Sequence, residues 1–443
     1  MQQGLVLALA FVWFGSLAGC AGHADQTQAA RSALDAGRTR AALTLYNERL
    51  DVDSEKETPP KIEGDNVLFL LDRAIILQAL EQYALSSRDL ELADKQVEML
   101  DMSRGTLDDI AKYMFSDDSG PYAAPAYEKL LVNTLNMVNY LARGDLQGAR
   151  VEARRLTVLQ NFVAEHESQS KSLTGPGNYL AGYIFEQSHE PGEALRYYDE
   201  ALQFGDYASL SGAIRKLARL DAYRTPRLER FLTEGPPSAD EQSADLLVVV
   251  SYGRVPAKIA KRVPIGLALT LASGWISPDN QGRANSLALQ GLVTWVNYPA
   301  LGQPHGEYDV PQLWIDGRSE PLEGMLAVDV EAARAWRENE GKIVASAITR
   351  MITRIVAGEV TRRAAGGGVL GLLLGLGTQA TLTATDTPDT RSWSTLPARI
   401  AFGRLRLPPG KHTLQMAARG TEKRQSVDLR PGGWAVVNLT VLR

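Results

Sequence analysis

DLLVVVSYG, residues 245–253, marks the point at which the pattern of the chain changes. A short, continuous apolar run that is rich in valine and ends at a glycine predicts a buried β-strand. The residues before it favour helices, and the residues after it contain further short strands separated by turn signals. The sequence therefore predicts an α+β fold, with a helical domain at 28–233 and a mixed α/β domain at 244–443.

The residues before this strand have the composition and spacing of helices. From Gln28 to Tyr223, apolar residues recur every three or four positions among Ala, Leu, Glu, Arg and Gln. In the clearest segment, 178–205, small and aromatic residues fall at the packing positions of a helix–turn–helix unit of about 34 residues. They are Gly182, Phe185, Ala194, Tyr198 and Ala201. The small residues allow two helices to approach closely, and the aromatic residues fill the space beside them.

This spacing resembles the tetratricopeptide repeat. Three weaker matches place a small residue at the position of Ala194, namely Ala42, Ala93 and Ala149. Their unequal intervals predict irregular helix pairs with inserted loops. The resemblance implies a solenoid whose inner face binds protein segments. A helical bundle without repeats is the alternative.

Short strands with turn signals continue to the C-terminus. Asp316-Gly317 is a strong hairpin signal, and Pro408-Pro409-Gly410 and Pro431-Gly432-Gly433 mark further turns. The segments that read as strands are 291–299, 313–318, 399–407, 411–417, 426–429 and 434–442. This spacing is typical of a small β-sandwich.

A helical insertion, 331–385, interrupts these strands. Its first part is amphipathic and basic, whereas residues 364–385 contain no charged side chain and place Gly367, Gly371 and Gly375 four residues apart. Small residues at this spacing let helices touch closely. A packed helical hairpin, a membrane contact and an oligomer contact are the three alternatives.

The N-terminus has the layout of an export signal. Leu5–Phe14 is an almost unbroken apolar run, and small residues follow it. Leu17-Ala18-Gly19-Cys20 resembles the lipobox of bacterial lipoproteins. The resemblance implies that residues 1–19 are a signal peptide, cut between Gly19 and Cys20, and that the Cys20 thiol is lipidated. An ordinary secretory signal with a chance cysteine is the alternative.

The lipobox also implies a location. Residues 20–27 would form a lipidated tether, and the membrane would be a partner through acyl chains such as palmitate. Ala21 stands where an aspartate would favour the inner membrane, so the resemblance implies the outer membrane and its periplasmic side. Cys20 is the only cysteine, which excludes a disulfide within the chain and a cysteine metal site.

A wider resemblance rests on three segments. Residues 247–258, 389–397 and 407–412 read LVVVSYGRVPAK, DTRSWSTLP and LPPGKH. They resemble a group of uncharacterised proteobacterial lipoproteins with tetratricopeptide-like N-terminal halves. This resemblance implies location and architecture, and it implies no activity.

Charge is distributed unevenly along the chain. Residues 21–240 contain 24 Lys and Arg against 35 Asp and Glu, and residues 241–443 contain 23 against 17. The basic half could face phosphate headgroups, an acidic partner or its own acidic half. With a pI near 5.7 and an export signal, we expect no binding to nucleic acid.

The sequence contains few signals of chemistry. The five histidines form no HExxH motif, and there is neither a G-x-S-x-G elbow nor a Walker loop. We therefore predict no catalytic residue, no metal site and no cofactor. Arg391-Ser392-Trp393 has the composition of an interface anchor, but a tryptophan packed at the edge of the sandwich explains it equally.

The sequence favours a non-enzymatic role. We expect a lipoprotein on the periplasmic side of the outer membrane that acts as a protein-binding scaffold. The alternatives are a cell-envelope enzyme, such as one that acts on the cell wall, and a structural protein that contacts the membrane through 364–385. The identity of the envelope partner and the oligomeric state stay open.

Overall fold

The computed structural model describes residues 22–102, 122, 124–166, 173–233, 242–291, 293–306, 308–364 and 388–443. Within these ranges the chain forms thirteen α-helices and ten β-strands, so the fold is α+β. The signal peptide 1–19, Cys20, and residues 365–385 of the predicted insertion lie outside the described residues.

The first eight helices form four hairpins. The helices are α1 (His23–Asp35), α2 (Thr39–Arg49), α3 (Asn66–Ala79), α4 (Tyr83–Met102), α5 (Ala126–Ala142), α6 (Leu146–His166), α7 (Gly175–Gln187) and α8 (Pro191–Ala201). A 3₁₀ turn (Ala208–Leu210) leads to two shorter helices, α9 (Ser211–Leu217) and α10 (Pro226–Thr233).

The same turn closes all four hairpins. A residue with φ between 61° and 71° follows the first helix of each pair, and these residues are Gly37, Glu81, Gly144 and His189. In the first hairpin Gly37 N–H donates to the Leu34 carbonyl and Arg38 N–H to the Ala33 carbonyl, both at 2.8 Å. This pair of bonds is the Schellman motif, and it recurs in the other three turns.

This turn corrects one predicted repeat position. Ala42, Ala149 and Ala194 each lie five residues after the left-handed residue and are fully buried. In the second hairpin that place belongs to Ser86, so the position predicted at Ala93 is wrong by seven residues. The reason is that Glu81, rather than a glycine, takes the left-handed conformation there.

The first helix overlaps the predicted tether, residues 20–27. Helix α1 begins at His23, so residues 23–27 are helical. Gly22 is extended and Asp25 lies in the first turn, where a carboxylate favours the helix dipole. The Thr27 hydroxyl donates to the His23 carbonyl at 2.9 Å.

Strand β1 (Ala244–Tyr252) lies inside sheet A, which has the order β10-β1-β7-β6. It pairs in parallel with β10 (Trp434–Val441) and antiparallel with β7 (Arg399–Leu407), which in turn pairs with β6 (Glu323–Ala327). All nine residues of β1 are buried. A strand in this position needs apolar cover on both of its faces.

Sheet A is the middle of three layers. Leu247 and Val249 belong to one cluster of buried residues with the helices α1 to α10. Leu246, Val248 and Val250 point to the other side, into a cluster shared with sheet B. The helical part and the sheet part therefore share a core, although the sequence predicts them as successive domains.

Sheet B has the order β5-β4-β8-β9 and is antiparallel throughout. Its strands are β4 (Gln312–Ile315), β5 (Arg318–Glu320), β8 (Gly410–Ala418) and β9 (Thr421–Leu429). The turn between β4 and β5 is Asp316-Gly317, with φ of 52° and 81°. Positive φ at both positions is the type I′ hairpin that Asp-Gly predicts.

A smaller unit is inserted after β1 and has its own cluster of buried residues. It consists of β2 (Lys258–Pro264), α11 (Ile265–Leu271), α12 (Pro278–Leu289), β3 (Trp295–Leu301) and α13 (Val328–Ala364). Strands β2 and β3 form a separate antiparallel ribbon, so the predicted strand 291–299 begins later than expected and belongs to neither large sheet. Ile343, Ile348 and Ile352 of α13 pack beneath this ribbon.

Gly182 provides a test of helix packing in the fourth hairpin. A Cβ atom on Gly182 would lie 2.4 Å from Cδ1 of the buried Tyr198 ring. Gly182→Ala should therefore lower the free energy of unfolding by about 1–2 kcal/mol, because overpacking costs more than the gain in helix propensity. Urea unfolding of the full chain measures this.

The matched control is Gly212→Ala in α9, where a Cβ atom meets nothing within 4 Å. It should stabilise the chain by about 0.4–1 kcal/mol. Stabilisation by both substitutions would contradict the close approach of α7 and α8.

Candidate functional site

The predicted packing residues lie together on one hairpin. Gly182 and Phe185 are on α7, whereas Ala194, Tyr198 and Ala201 are on α8, and all five are buried. The Tyr198 hydroxyl donates to Glu186 at 2.7 Å. The predicted cleavage residues, Gly19 and Cys20, lie outside the described residues.

Two of the distinctive segments meet in the fold. Residues 388–398, which we call the junction segment, run beside the end of β1. Val255 N–H donates to the Leu396 carbonyl at 2.9 Å, and Lys258 N–H donates to the Ser392 hydroxyl at 3.2 Å. The junction segment also contacts the first helices, so it joins the sheet layer to the helical layer.

Gly253 makes this meeting possible. Its φ is +67°, and a Cβ atom there would lie 2.2 Å from Cε1 of Tyr308. A glycine is therefore required for both the backbone conformation and the space. The Tyr308 hydroxyl then donates to the Arg254 carbonyl at 3.1 Å.

Asp72 on α3 is the principal acceptor for the junction segment. Its carboxylate accepts from Thr395 N–H at 2.8 Å, from the Ser394 hydroxyl at 3.1 Å and from the Tyr46 hydroxyl at 3.0 Å. Asp72 has no solvent exposure. Burial raises its pKa to about 6, even though these hydrogen bonds act in the opposite direction.

Glu128 on α5 binds the junction segment at Trp393, the residue before Ser394. Its carboxylate accepts from Trp393 N–H at 3.2 Å and from the Tyr122 hydroxyl. Burial also raises the pKa of Glu128. Trp393 is 2% exposed, so it packs against the helices and is neither a surface anchor nor a residue at the sandwich edge.

Arg391 is also buried and is held within its own segment. Its guanidinium donates to both carboxylate oxygens of Asp389, at 2.9 and 2.8 Å. Nearby, His23 stacks on Phe69 with ring centroids 5.3 Å apart. Burial lowers the pKa of His23 to about 3, so this histidine is neutral near pH 7.

A cavity of about 400 Å³ opens beside this junction. The start of α1 forms one wall, and Ile259, Ala260, His305 and the start of the junction segment complete it. Asp35 lies at the cavity, ion-paired with the buried Arg254 and 3.8 Å from His305. Burial, followed by the charge of Arg254, lowers the pKa of His305.

Arg404 makes a second buried link between the layers. From β7 it forms ion pairs with Glu186 of α7 and Asp245 of β1, and it donates to the Tyr198 hydroxyl at 2.8 Å. Both acidic partners are almost fully buried. The predicted packing residue Tyr198 is therefore also part of a polar contact between hairpin and sheet.

The buried polar contacts of Asp72, Glu128 and Arg404 are suited to stabilising the fold. Asp72 and Glu128 are enclosed, and neither lines the cavities beside the junction or along α13, so a substrate has no open route to them there. Within the described ranges, His, Cys, Asp and Glu form no group that could hold a metal ion. The described helices also include none long and apolar enough to cross a membrane.

The sequence contains a signal for two of the buried charged residues, Asp72 and Arg73, which we did not predict. Residues 67–77 read VLFLLDRAIIL, in which Asp72 and Arg73 interrupt an otherwise apolar helix. Charges in such a run must be paired inside the fold. Arg73 indeed bonds Asp89 at 2.6 Å. Arg404 had no comparable signal, because its partners are 159 and 218 residues away.

No family model, no curated protein and no solved structure matches this chain. The similarity to tetratricopeptide-like lipoproteins therefore stays a prediction.

The raised pKa of Asp72 predicts a pH dependence of stability. A carboxyl group with a pKa of about 6 when folded and about 3.9 when unfolded binds its proton more tightly in the folded state. Wild type should therefore gain stability relative to Asp72→Asn as the pH falls from about 7 to about 3, by on the order of 3 kcal/mol. This gain in stability is complete below the pKa of Asp72 in the unfolded chain, and it is lost as the pH rises through 6.

Urea unfolding of both proteins at several pH values measures the difference, in which contributions from other groups cancel. Parallel curves for the two proteins would contradict the burial of an ionisable Asp72.

Proposed function

We propose that this chain is a lipoprotein, anchored to the outer membrane by lipid on Cys20 and facing the periplasm, that acts as a protein-binding scaffold. The proposal assigns it no catalytic activity. The lipobox Leu17–Cys20 supports the anchor, and the presence of a single cysteine makes a role in lipidation more plausible than one in a disulfide.

The observation that carries the scaffold role is an apolar stripe on α6. Val151, Val158 and Phe162 are 56%, 71% and 45% exposed, and their spacing of seven and four residues puts them on one face of the helix. The opposite side of α6 packs into the core through Ala149, Ala153 and Leu156. Exposed apolar residues aligned in this way are typical of a surface that binds another protein.

The four hairpins support the same role. They share one turn geometry, and three of them bury an alanine at the same place after the turn. We infer that they are irregular tetratricopeptide-like units, a class that presents helix faces to peptides or protein segments. The apolar stripe fits the apolar face of a helix from an envelope protein.

Lipidation is tested by metabolic labelling with palmitate. Cys20→Ala should lose the label completely, because no other thiol is present. Ala21→Ser, outside the lipobox, is the matched control and should keep the label. Equal labelling of wild type and Cys20→Ala would exclude the anchor.

Site-specific crosslinking tests the scaffold surface in the full chain, because the helices share their core with sheet A. A photoreactive side chain at Val158 should yield an adduct of defined mass in cells, whereas one at the exposed Glu200 of α8 should not. Val151→Asp should lower the yield about tenfold, the usual scale for an interface anchor. An adduct of equal yield from both positions would refute binding through this stripe.

A further inference from the structure

The ribbon of β2 and β3 is basic and aromatic on its exposed side. Val263 and Val296 face the core beneath it. Arg262 and Trp295 lie on the other face, and the guanidinium carbon of Arg262 is 5.4 Å from the centroid of the Trp295 ring. Trp295 is 41% exposed, and strand alternation puts Lys258 and Ala260 on the same face. Lys261 lies on the opposite face, with its Nζ atom 5.9 Å from the centroid of the buried Tyr298 ring.

The charge of this part of the chain is one-sided. Residues 246–306 contain five Lys and Arg but a single acidic residue, Asp279, in a protein whose net charge is −5. Arg254 and Arg283 have carboxylate partners. Among the described residues, no ion pair joins Lys258, Lys261 or Arg262 to a carboxylate, so the positive charge of the ribbon is not neutralised locally.

The ribbon begins beside the point where the anchor would enter. Gly22 and Asp25 line the same 400 Å³ cavity as Ile259 and Ala260 of β2. Two peptide units separate Gly22 from Cys20, so a lipid on Cys20 would be attached within about 7 Å of Gly22. The cavity itself contains charges of both signs, because Asp25 and Asp35 line it together with Arg31. The positive surface is therefore the outer face of the ribbon, whose strands contain no acidic residue, and not the cavity.

We propose that the outer face of the ribbon, formed by Lys258, Ala260, Arg262 and Trp295, binds the anionic headgroups of a bilayer. This rests on the proposed lipidation only for its position next to the membrane. Tryptophan and basic side chains are the residues that favour the interface between water and lipid. Each cation near an anionic leaflet strengthens binding about fivefold. The surface would orient the tethered chain, with the ribbon against the bilayer.

The first experiment uses the Cys20→Ala chain, which has no lipid, so that its outcome is independent of the anchor. It should bind vesicles of phosphatidylcholine and phosphatidylglycerol more tightly than vesicles of phosphatidylcholine alone. Lys258→Gln/Arg262→Gln should weaken this binding about 25-fold, or fivefold for each cation. Lys411→Gln/Arg424→Gln on β8 and β9 removes the same charge from exposed positions elsewhere and should have no effect.

Three results would each overturn the proposal. They are failure to bind either vesicle, equal binding to both vesicles, and equal losses of binding in the two double variants. The palmitate experiment decides the anchor separately, so either conclusion can fail while the other stands.

The second experiment locates the contact. Cys20→Ala leaves a chain without cysteine, so one new cysteine can carry an environment-sensitive dye. A dye on Ala260→Cys should shift to the blue with phosphatidylglycerol vesicles, and a dye on Ser426→Cys of β9 should not. A blue shift at 260 that occurs without vesicles and depends on protein concentration would overturn the proposal. The occupant of the surface would then be a second copy of the chain.

Discussion

A strand that is buried on both faces constrains the entire molecule. Every residue of β1 is inaccessible, so sheet A requires one apolar layer on each side. Sheet B supplies one layer, and the hairpins of the helical region supply the other. Two polar contacts then fix the helical layer in register with the sheet. Arg404 joins β7 and β1 to α7, and Asp72 of α3 holds the junction segment. Removing either partner of such a buried contact leaves a charge or donor unsatisfied, which costs far more than an exposed ion pair.

Local features of the fold could be predicted from the sequence, whereas contacts between distant residues could not. The α+β class, the strand at 245–253 and the Asp316-Gly317 hairpin follow from local periodicity and turn chemistry, and the structure contains all three. The register of the second hairpin was wrong because Glu81 has no side-chain signal for the left-handed conformation it adopts. The layering was not predictable, because it depends on partners such as Asp72 and Thr395 that lie 323 residues apart. The packing residues on α7 and α8 could be predicted from the sequence, whereas the hydrogen bond from Arg404 to Tyr198 could not.

The proposed surfaces differ in character in a way that fits their proposed partners. The stripe on α6 presents three apolar residues on one helix face, which suits another helix. The ribbon combines cations with one tryptophan, which suits charged headgroups and contributes little to a dry protein interface. The ribbon adjoins the start of α1 through a shared cavity, whereas the stripe belongs to the third hairpin. One chain could thus rest on a membrane and hold a partner at the same time.

The long reach of the junction segment has a consequence for how the protein is made. Helix α3 is synthesised long before residues 388–398, yet its Asp72 carboxylate accepts from Ser394 and Thr395 of that segment as well as from Tyr46. Until residues 388–443 are made, the helices lack both these donors and the complete sheet that covers their apolar side. Native contacts of such long range form late and slowly. The growing chain therefore passes through an incomplete helical intermediate that is vulnerable to proteases. A truncation near the C-terminus would disable the N-terminal half as well.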